Sequence, residues 1–101
     1  MTTQKKLTIA IDFDDTFTVD PAMWAEFCNG AKSRGHHVYM VSARRKTIEN
    51  TEIVDGILEE HKCYIPIIFT DLGSKIHAME SRDVKVDIWI DDDPEKLVRG
   101  H

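Results

Sequence analysis

Short apolar runs alternate along this chain with longer segments in which apolar residues recur at helical spacing. Four of these runs are followed by polar residues, which predicts buried strands at residues 7–11, 38–41, 65–69 and 86–90. Asp20 followed by Pro21 predicts the start of a first helix, because aspartate caps helices and proline suits their first position. Gly35 predicts where this helix ends.

Three more helices are predicted between and after the later strands. Thr51 is the expected cap of the second helix. The inner face of that helix would consist of four apolar residues, Ile53, Val54, Ile57 and Leu58. Gly73 and Ser74 are expected to open a short third helix, and a last helical turn would follow the fourth strand.

The resulting order of a strand followed by a helix, four times over, predicts an α/β fold. Strands that read as continuous apolar runs belong to a parallel sheet, here of about four strands, with helices on both faces. A chain of 101 residues has the size of one domain, so a single domain over residues 1–101 is expected. In such a sheet, ligands bind beyond the carboxyl ends of the strands.

Composition narrows the classes of function. The chain has 13 Lys plus Arg against 18 Asp plus Glu, a net charge of −5, whereas a protein that binds duplex nucleic acid nonspecifically is normally basic. It has no apolar run that could span a bilayer and no signal-peptide core, so we expect a cytoplasmic protein without membrane contact. Cys28 and Cys63 match no metal-binding or redox spacing, and Cys28 is expected to be structural.

Acidic residues gather where two of the predicted strands end. They are Asp12, Asp14 and Asp15 after the first strand, and Asp91, Asp92 and Asp93 after the fourth. Carboxylates that share one rim repel each other unless a cation lies between them. Oxygen ligands suit Mg²⁺, which binds one or two protein carboxylates together with water and phosphate oxygens. The sequence therefore predicts a Mg²⁺ site on this rim.

Four short motifs follow one another in order. They are Asp12-Phe13-Asp14-Asp15-Thr16 after strand one, Ser42 at the end of strand two, Lys75 at a helix start, and Asp91-Asp92 after strand four. This set, between about Leu7 and Val98, resembles the four motifs of the haloacid-dehalogenase-like hydrolases, the first of which reads DxDx[TV]. The resemblance implies a three-layer Rossmann-like core and phosphatase activity. Asp15 departs from the pattern, because the family more often has glycine there.

The resemblance also implies a role for each acidic residue. Asp12 would be the nucleophile that forms an aspartyl-phosphate, and Asp14 would protonate the leaving oxygen and later activate water. Asp12, the backbone carbonyl of Asp14, and Asp91 would hold Mg²⁺. Asp92 would be a further ligand or would lie just behind the ligands. Asp93, next to Pro94, is expected to cap a helix instead.

The other motif residues would bind the phosphoryl group, again by resemblance. Ser42 and Lys75 would contact its oxygens, and Lys75 would also offset the charge of Asp12. Thr16 would orient the phosphate-binding loop by hydrogen bonding. Val41-Ser42-Ala43-Arg44 is further similar to the phosphatase half of polynucleotide kinase-phosphatases, which implies that Arg44 contacts a substrate phosphate.

Family members often carry a cap domain over the site, but neither insertion point here has room for one. A helix is expected soon after Thr16, and only residues 70–74 separate strand three from the third helix. An open site would accept a large or protruding substrate, such as a polynucleotide end, a protein side chain or a lipid headgroup, unless a second subunit covers it. The expected partner is a phosphorylated small molecule or nucleic-acid end, with nucleotide or polynucleotide 3′-phosphates as candidate substrates. The family often adds a fifth strand, so the fourth strand would be an edge here, and self-association would cover it.

Two other readings stay open on sequence alone. A non-catalytic phosphate- or nucleotide-binding module on the same fold would lack one of the motif residues, and none is missing. A response-regulator receiver domain also places acids and a lysine on such a sheet. It fits less well, because its phosphorylated aspartate follows the third strand.

Overall fold

The fold is built on a sheet of four parallel strands. The structure, a computed structural model, describes residues 5–99, so the predictions for residues 1–4 and 100–101 lie outside it. The strands are β1 Thr8–Ile11, β2 His37–Ser42, β3 Ile67–Phe69 and β4 Ile88–Ile90. Their order in the sheet is β3-β2-β1-β4, and every pairing is parallel. The predicted α/β class with a parallel sheet is confirmed.

Helices connect the strands. They are α1 Pro21–Ser33, α2 Ile48–Glu60, α3 Lys75–Glu80 and α4 Glu95–Val98, with a 3-10 turn at Phe17–Val19 before α1. None of the helices in residues 5–99 combines the length and apolarity needed to cross a membrane. Neither the segment between β1 and α1 nor that between β3 and α3 contains an added domain.

Three of the helix starts are set by local capping contacts. Asp20 caps α1 as predicted, and its carboxylate accepts a hydrogen bond from the N–H of Met23 at 3.2 Å. The prediction that Thr51 caps α2 is wrong. Thr47 is the cap, with its hydroxyl accepting from the N–H of Asn50 at 3.0 Å, whereas Thr51 lies inside the helix and donates to the Thr47 carbonyl.

Ser74 caps α3 and also joins it to α4. Its hydroxyl accepts from the N–H of His77 at 3.2 Å and donates to the carbonyl of Leu97 at 2.8 Å. Because Lys75 directly follows this cap, the position of its backbone depends on both helices.

Successive residues of each strand pack on opposite faces of the sheet, so the core has two parts. One part joins the strands to α1 and α2 and contains Ile11, Val38, Met40, Ala25, Cys28, Val54 and Leu58. The other joins them to α3 and contains Ala10, Val41 and Met79, with Tyr39, Ile68 and Trp89 packed against it. Helices therefore cover both faces, as predicted, and burying each large apolar side chain contributes roughly 1.5–3 kcal/mol.

Strands β3 and β4 are shorter than their apolar runs. Residues 65–66 lie outside β3, although the carbonyl of Pro66 accepts from the N–H of Met40 at 2.8 Å. Residues 86–87 lie outside β4, although Asp87 exchanges backbone and side-chain hydrogen bonds with Thr8. Hydrogen bonds to the neighbouring strand therefore continue beyond the ends of β3 and β4, but the regular parallel ladder does not.

The two cysteines meet in the core between α1 and the loop after α2. Both side chains are fully buried, and neither cysteine is in a disulfide. Next to them the side-chain amide of Asn29 donates to the carbonyl of Lys62 at 3.0 Å. The neighbouring thiol of Cys63 and burial together raise the pKa of Cys28, so its thiol stays protonated.

Candidate metal and phosphate site

The acidic motifs of β1 and β4 meet because these strands are neighbours in the sheet. The N–H of Asp12 donates to the carbonyl of Ile90 at 2.9 Å, which brings the residues after both strands to one rim. Carboxylate oxygens of Asp12, Asp91 and Asp92 lie within 4.8 Å of one another. We call these three residues the acidic cluster. The carboxylates of Asp12 and Asp91 lie deep, with 5% and 2% of their side-chain surfaces exposed, whereas Asp92 is exposed.

A buried lysine lies inside this cluster. The ammonium group of Lys75 donates to Asp12 Oδ1 and to Asp91 Oδ2, in both cases at 2.6 Å. The Lys75 side chain has no exposed surface, although it belongs to the first turn of a short helix. A buried ammonium group requires such partners, because leaving it unpaired in the interior is very costly.

The cluster has the composition of a site for a hard divalent cation. Three carboxylates and one lysine leave a formal charge of −2 when all are ionised. All the candidate ligand atoms are oxygens, which are the ligands that Mg²⁺ prefers. These residues could therefore hold a metal ion, and they fit Mg²⁺. A contact between Mg²⁺ and the backbone carbonyl of Asp14 stays a prediction.

Thr16 connects the two ends of the cluster. Its hydroxyl accepts from the N–H of Asp92 at 3.2 Å and lies 3.2 Å from Oδ2 of Asp12 and 3.2 Å from Oδ1 of Asp92. The single hydroxyl proton can be donated to only one of these carboxylates at a time. Thr16 therefore orients the loop after β1 against the loop after β4.

Burial changes the pKa of the Asp12 carboxyl group. Desolvation raises the pKa of Asp12 from 3.8 to about 6, although the hydrogen bond and the charge of Lys75 act in the opposite direction. A hydrogen bond between Asp12 and Asp92 lowers the pKa of Asp92 and adds to the rise at Asp12. Without a cation, Asp12 is therefore the member of this pair that takes up a proton first as the pH falls.

Asp14 faces a different partner. Arg44, in the loop after β2, donates to both of its carboxylate oxygens: Nε to Oδ2 and Nη2 to Oδ1, each at 2.9 Å. This two-pronged pair raises the pKa of Arg44 above its usual value. The pair is partly exposed, with 29% of the Arg44 side chain and 43% of the Asp14 side chain accessible.

Two residues that the sequence did not single out hold Arg44 in place. Arg44 Nη1 donates to Oδ1 of Asn50 at 2.9 Å, and the guanidinium carbon lies 5.4 Å from the centre of the Phe13 ring. The amide nitrogen of Asn50 donates in turn to the carbonyl of Arg45 at 2.8 Å, which fixes the orientation of its oxygen. No pattern in the sequence pointed to Asn50, because the second helix was predicted to begin after it, at Thr51, whereas α2 begins at Ile48.

Ser42 and Asp93 also have contacts within the protein. The Ser42 side chain is fully buried at the end of β2, and its hydroxyl accepts from the N–H of Arg44 at 3.2 Å. Asp93 accepts from the N–H of Glu95 at 3.2 Å just before α4. The cap position of α4 is occupied by Pro94, so the prediction that Asp93 caps this helix is wrong. A contact of Ser42 with a phosphoryl oxygen stays a prediction.

The loops around the site are fixed to one another. The N–H of Leu72 donates to the carbonyl of Ala43 at 2.8 Å, and Asp71 Oδ1 accepts from the N–H of Lys46 at 2.9 Å. Asp15 has a φ of 60°, in the left-handed region where glycine is most at ease and aspartate is tolerated. Aspartate can therefore occupy this position of the loop, where a β-branched side chain would be strained.

Comparison of this chain with protein-family models, with curated proteins and with solved structures finds no match. Inferences about its function therefore depend on the geometry and chemistry of the acidic cluster, Lys75 and the pair of Asp14 with Arg44.

Proposed function

We propose that this chain is a Mg²⁺-dependent phosphomonoesterase of the haloacid-dehalogenase type, with Asp12 as the nucleophile. The observation that carries the proposal is the setting of Asp12, which is buried against the ammonium group of Lys75 and lies within 4.8 Å of Asp91 and Asp92. Such a setting brings a carboxylate nucleophile, a cation site and a fixed positive charge together at the carboxyl end of a parallel sheet.

The reaction would proceed in two displacements at phosphorus. An oxygen of Asp12 forms a bond to phosphorus, the bond from phosphorus to the leaving oxygen breaks, and Asp14 gives its proton to that oxygen. A water molecule then attacks the phosphorus of the aspartyl-phosphate while Asp14 takes one of its protons. The bond from phosphorus to Asp12 breaks, which releases inorganic phosphate and restores both carboxyl groups.

The other residues would stabilise charge. Lys75 and the buried hydroxyl of Ser42 would contact the phosphoryl oxygens as they gain negative charge. Held by Asp12, Asp91 and Asp92, Mg²⁺ would supply further positive charge to a dianionic substrate beside an acidic rim. Thr16 would keep the two acidic loops in register.

The short connections around the rim support a proposal about the substrate class. Only a 3-10 turn lies between β1 and α1, and only residues 70–74 lie between β3 and α3, so these connections have no lid over the site. A protruding phosphate would reach such a site, and we propose a nucleotide or polynucleotide 3′-phosphate in a cytoplasmic setting. A small phosphorylated metabolite satisfies the same geometry.

A non-catalytic phosphate-binding module is the second candidate, and one observation favours it. Arg44 binds both carboxylate oxygens of Asp14, the residue on which proton transfer depends. If Asp14 stayed in that pair throughout, the site would bind a phosphate without turning it over. Turnover by the purified protein separates the two candidates.

The decisive experiment is a screen of phosphorylated metabolites, 3′-phosphorylated oligonucleotides and p-nitrophenyl phosphate with Mg²⁺. We expect hydrolysis that a chelator abolishes and Mg²⁺ restores. Asp12→Asn should remove turnover, and Asp14→Asn should lower it about 10²–10⁴-fold. Acid quenching should trap phosphate covalently on the wild-type chain but not on Asp12→Asn. Binding of phosphate without release from any substrate would support the module, and near wild-type turnover by Asp12→Asn would refute the assignment.

A further inference from the structure

The two parallel N–H groups with which Arg44 would bind a phosphate already donate to a carboxylate of the protein. A two-pronged grip uses parallel N–H groups, and Nε and Nη2 already donate to the two oxygens of Asp14. Nη1 donates to Asn50. Three of the five N–H groups of this side chain are therefore directed at the protein.

Arg44 is also held from several directions. Asn50 fixes one end of the guanidinium group, and the ring of Phe13 lies beneath it at 5.4 Å. Asn50 is itself oriented, because its amide nitrogen donates to the carbonyl of Arg45. Because these contacts already hold the Arg44 side chain in one orientation, little further conformational entropy is lost when it binds Asp14.

We propose that Arg44 is a positioning residue for Asp14 and that Asn50 in turn positions Arg44. This inference rests on the proposed phosphatase function and assigns Arg44 to the hydrolysis of the aspartyl-phosphate rather than to substrate recognition. Each carboxylate oxygen has a second lone pair, so Asp14 can still accept a proton from water while Arg44 holds it. Asp14 is 43% exposed, and without Arg44 its side chain would lose this restraint.

A positioning role for Arg44 predicts a specific kinetic signature. With p-nitrophenyl phosphate, the leaving group needs little help from an acid, so formation of the aspartyl-phosphate should continue when Asp14 is misplaced. Its hydrolysis needs the base, and misplacing a catalytic group by about 1 Å can cost on the order of 10²-fold. Arg44→Ala should therefore release a burst of p-nitrophenol, followed by turnover about ten- to a hundredfold slower than wild type, with most of the enzyme phosphorylated at steady state.

The experiment measures the burst and the fraction of acid-trapped phosphoenzyme in rapid-quench mixing. Asn50→Ala should show the same signature in weaker form, and Arg44→Lys should lie between Arg44→Ala and wild type, because lysine cannot supply two parallel hydrogen bonds. Arg45→Ala is the matched control. Arg45 is the adjacent arginine, is exposed, and forms no ion pair within residues 5–99, so its substitution should change neither quantity.

The possible outcomes separate this inference from the proposed function. A raised KM in Arg44→Ala, with no added phosphoenzyme, would overturn the inference and assign Arg44 to the substrate. A lower fraction of active molecules with unchanged phosphoenzyme occupancy would assign it to folding alone and overturn the inference equally. Absence of turnover and of phosphoenzyme in the wild-type chain would instead refute the proposed function, and the inference with it.

Discussion

The buried ammonium group of Lys75 lies 2.6 Å from the Oδ1 atom of Asp12, and these two residues join helix α3 to the end of strand β1. The Lys75 side chain has no exposed surface. Within residues 5–99, its charge is balanced by two carboxylates, those of Asp12 and Asp91. Opposite charges this close in a water-poor interior attract strongly, but each loses its hydration. The pair therefore contributes to the site only while both members are present.

Substitution of Lys75 should lower the free energy of unfolding. Lys75→Met fills a similar volume but leaves the carboxylates of Asp12 and Asp91 without their cation. Breaking one side of a buried pair typically costs about 3–5 kcal/mol of unfolding free energy. Chemical denaturation of Lys75→Met and of Lys85→Met measures the effect, since Lys85 is exposed on the surface. Equal stability of the two variants would contradict the structural role of Lys75.

The affinity for Mg²⁺ should depend on pH in a defined direction. In the metal-free protein burial raises the pKa of Asp12 to about 6, and the proton on Asp12 competes with the cation. Below pH 6, Asp12 is mostly protonated, so the affinity should fall about tenfold for each pH unit. Above pH 6 the carboxylate is free, and the affinity should approach a plateau. Calorimetric titration between pH 5 and 8 measures this profile.

Two substitutions test whether Mg²⁺ binds at the acidic cluster. Asp91→Asn removes one of its carboxylates and should weaken Mg²⁺ binding at every pH. Asp15→Asn is the matched control, because Asp15 is exposed on the loop after β1 and asparagine tolerates its φ of 60°. Equal weakening by both substitutions would place the cation elsewhere on the rim.

Thr16 should matter through its hydroxyl rather than its shape. Thr16→Val keeps the branched side chain but leaves the N–H of Asp92 without its acceptor, which typically costs about 1–3 kcal/mol when the group is buried. Because Asp92 is an exposed residue, water can replace much of this contact, and the loss should lie at or below the lower end of this range. Thr16→Ser keeps the hydroxyl and should retain most of the stability and Mg²⁺ affinity. A reversed order of the two variants would contradict the bridging role.

The cysteine pair should be inert in the native state. Both thiols are fully buried, so a reagent cannot reach them in the folded chain. The contact between them raises the pKa of Cys28 and lowers that of Cys63, so Cys63 is protected by burial rather than by its pKa. A thiol reagent such as dithionitrobenzoate should therefore react slowly with the folded chain and promptly with two thiols once denaturant is added. Rapid native-state reaction would show that the loop after α2 opens readily.

The parts of this structure that the sequence predicted depend on near neighbours or on repeating patterns. Asp20 and Ser74 could be identified as caps because a cap contacts the chain three residues ahead. Thr47 and Thr51 are four residues apart and have the same capping chemistry, so the sequence did not show that the helix begins at the earlier one. The meeting of Asp12 with Asp91 could be predicted because parallel strands end on a common rim.

Contacts between loops could not be predicted in this way. Arg44 and Asp14 are 30 positions apart in the chain. The direction of the Arg44 side chain depends on its hydrogen bond to Asn50, which lies in the first turn of α2. Cys28 and Cys63 show the same limit, because no spacing rule brings a helix and a distant loop together. Long side chains on loops take their direction from packing, which composition and periodicity do not encode.

The position of β4 in the sheet has a consequence for the order in which the site forms during synthesis. β4 pairs with β1 over a long stretch of chain, as the 79 positions between Thr8 and Asp87 illustrate. A growing chain that has reached α3 already has Lys75 and Asp12, a balanced pair of charges. The surplus negative charge of the site arrives only with Asp91 and Asp92, after the other three strands have been made. At the proposed metal site, tight cation binding would therefore have to wait until β4 joins the sheet, and bound metal would indicate that the sheet is complete.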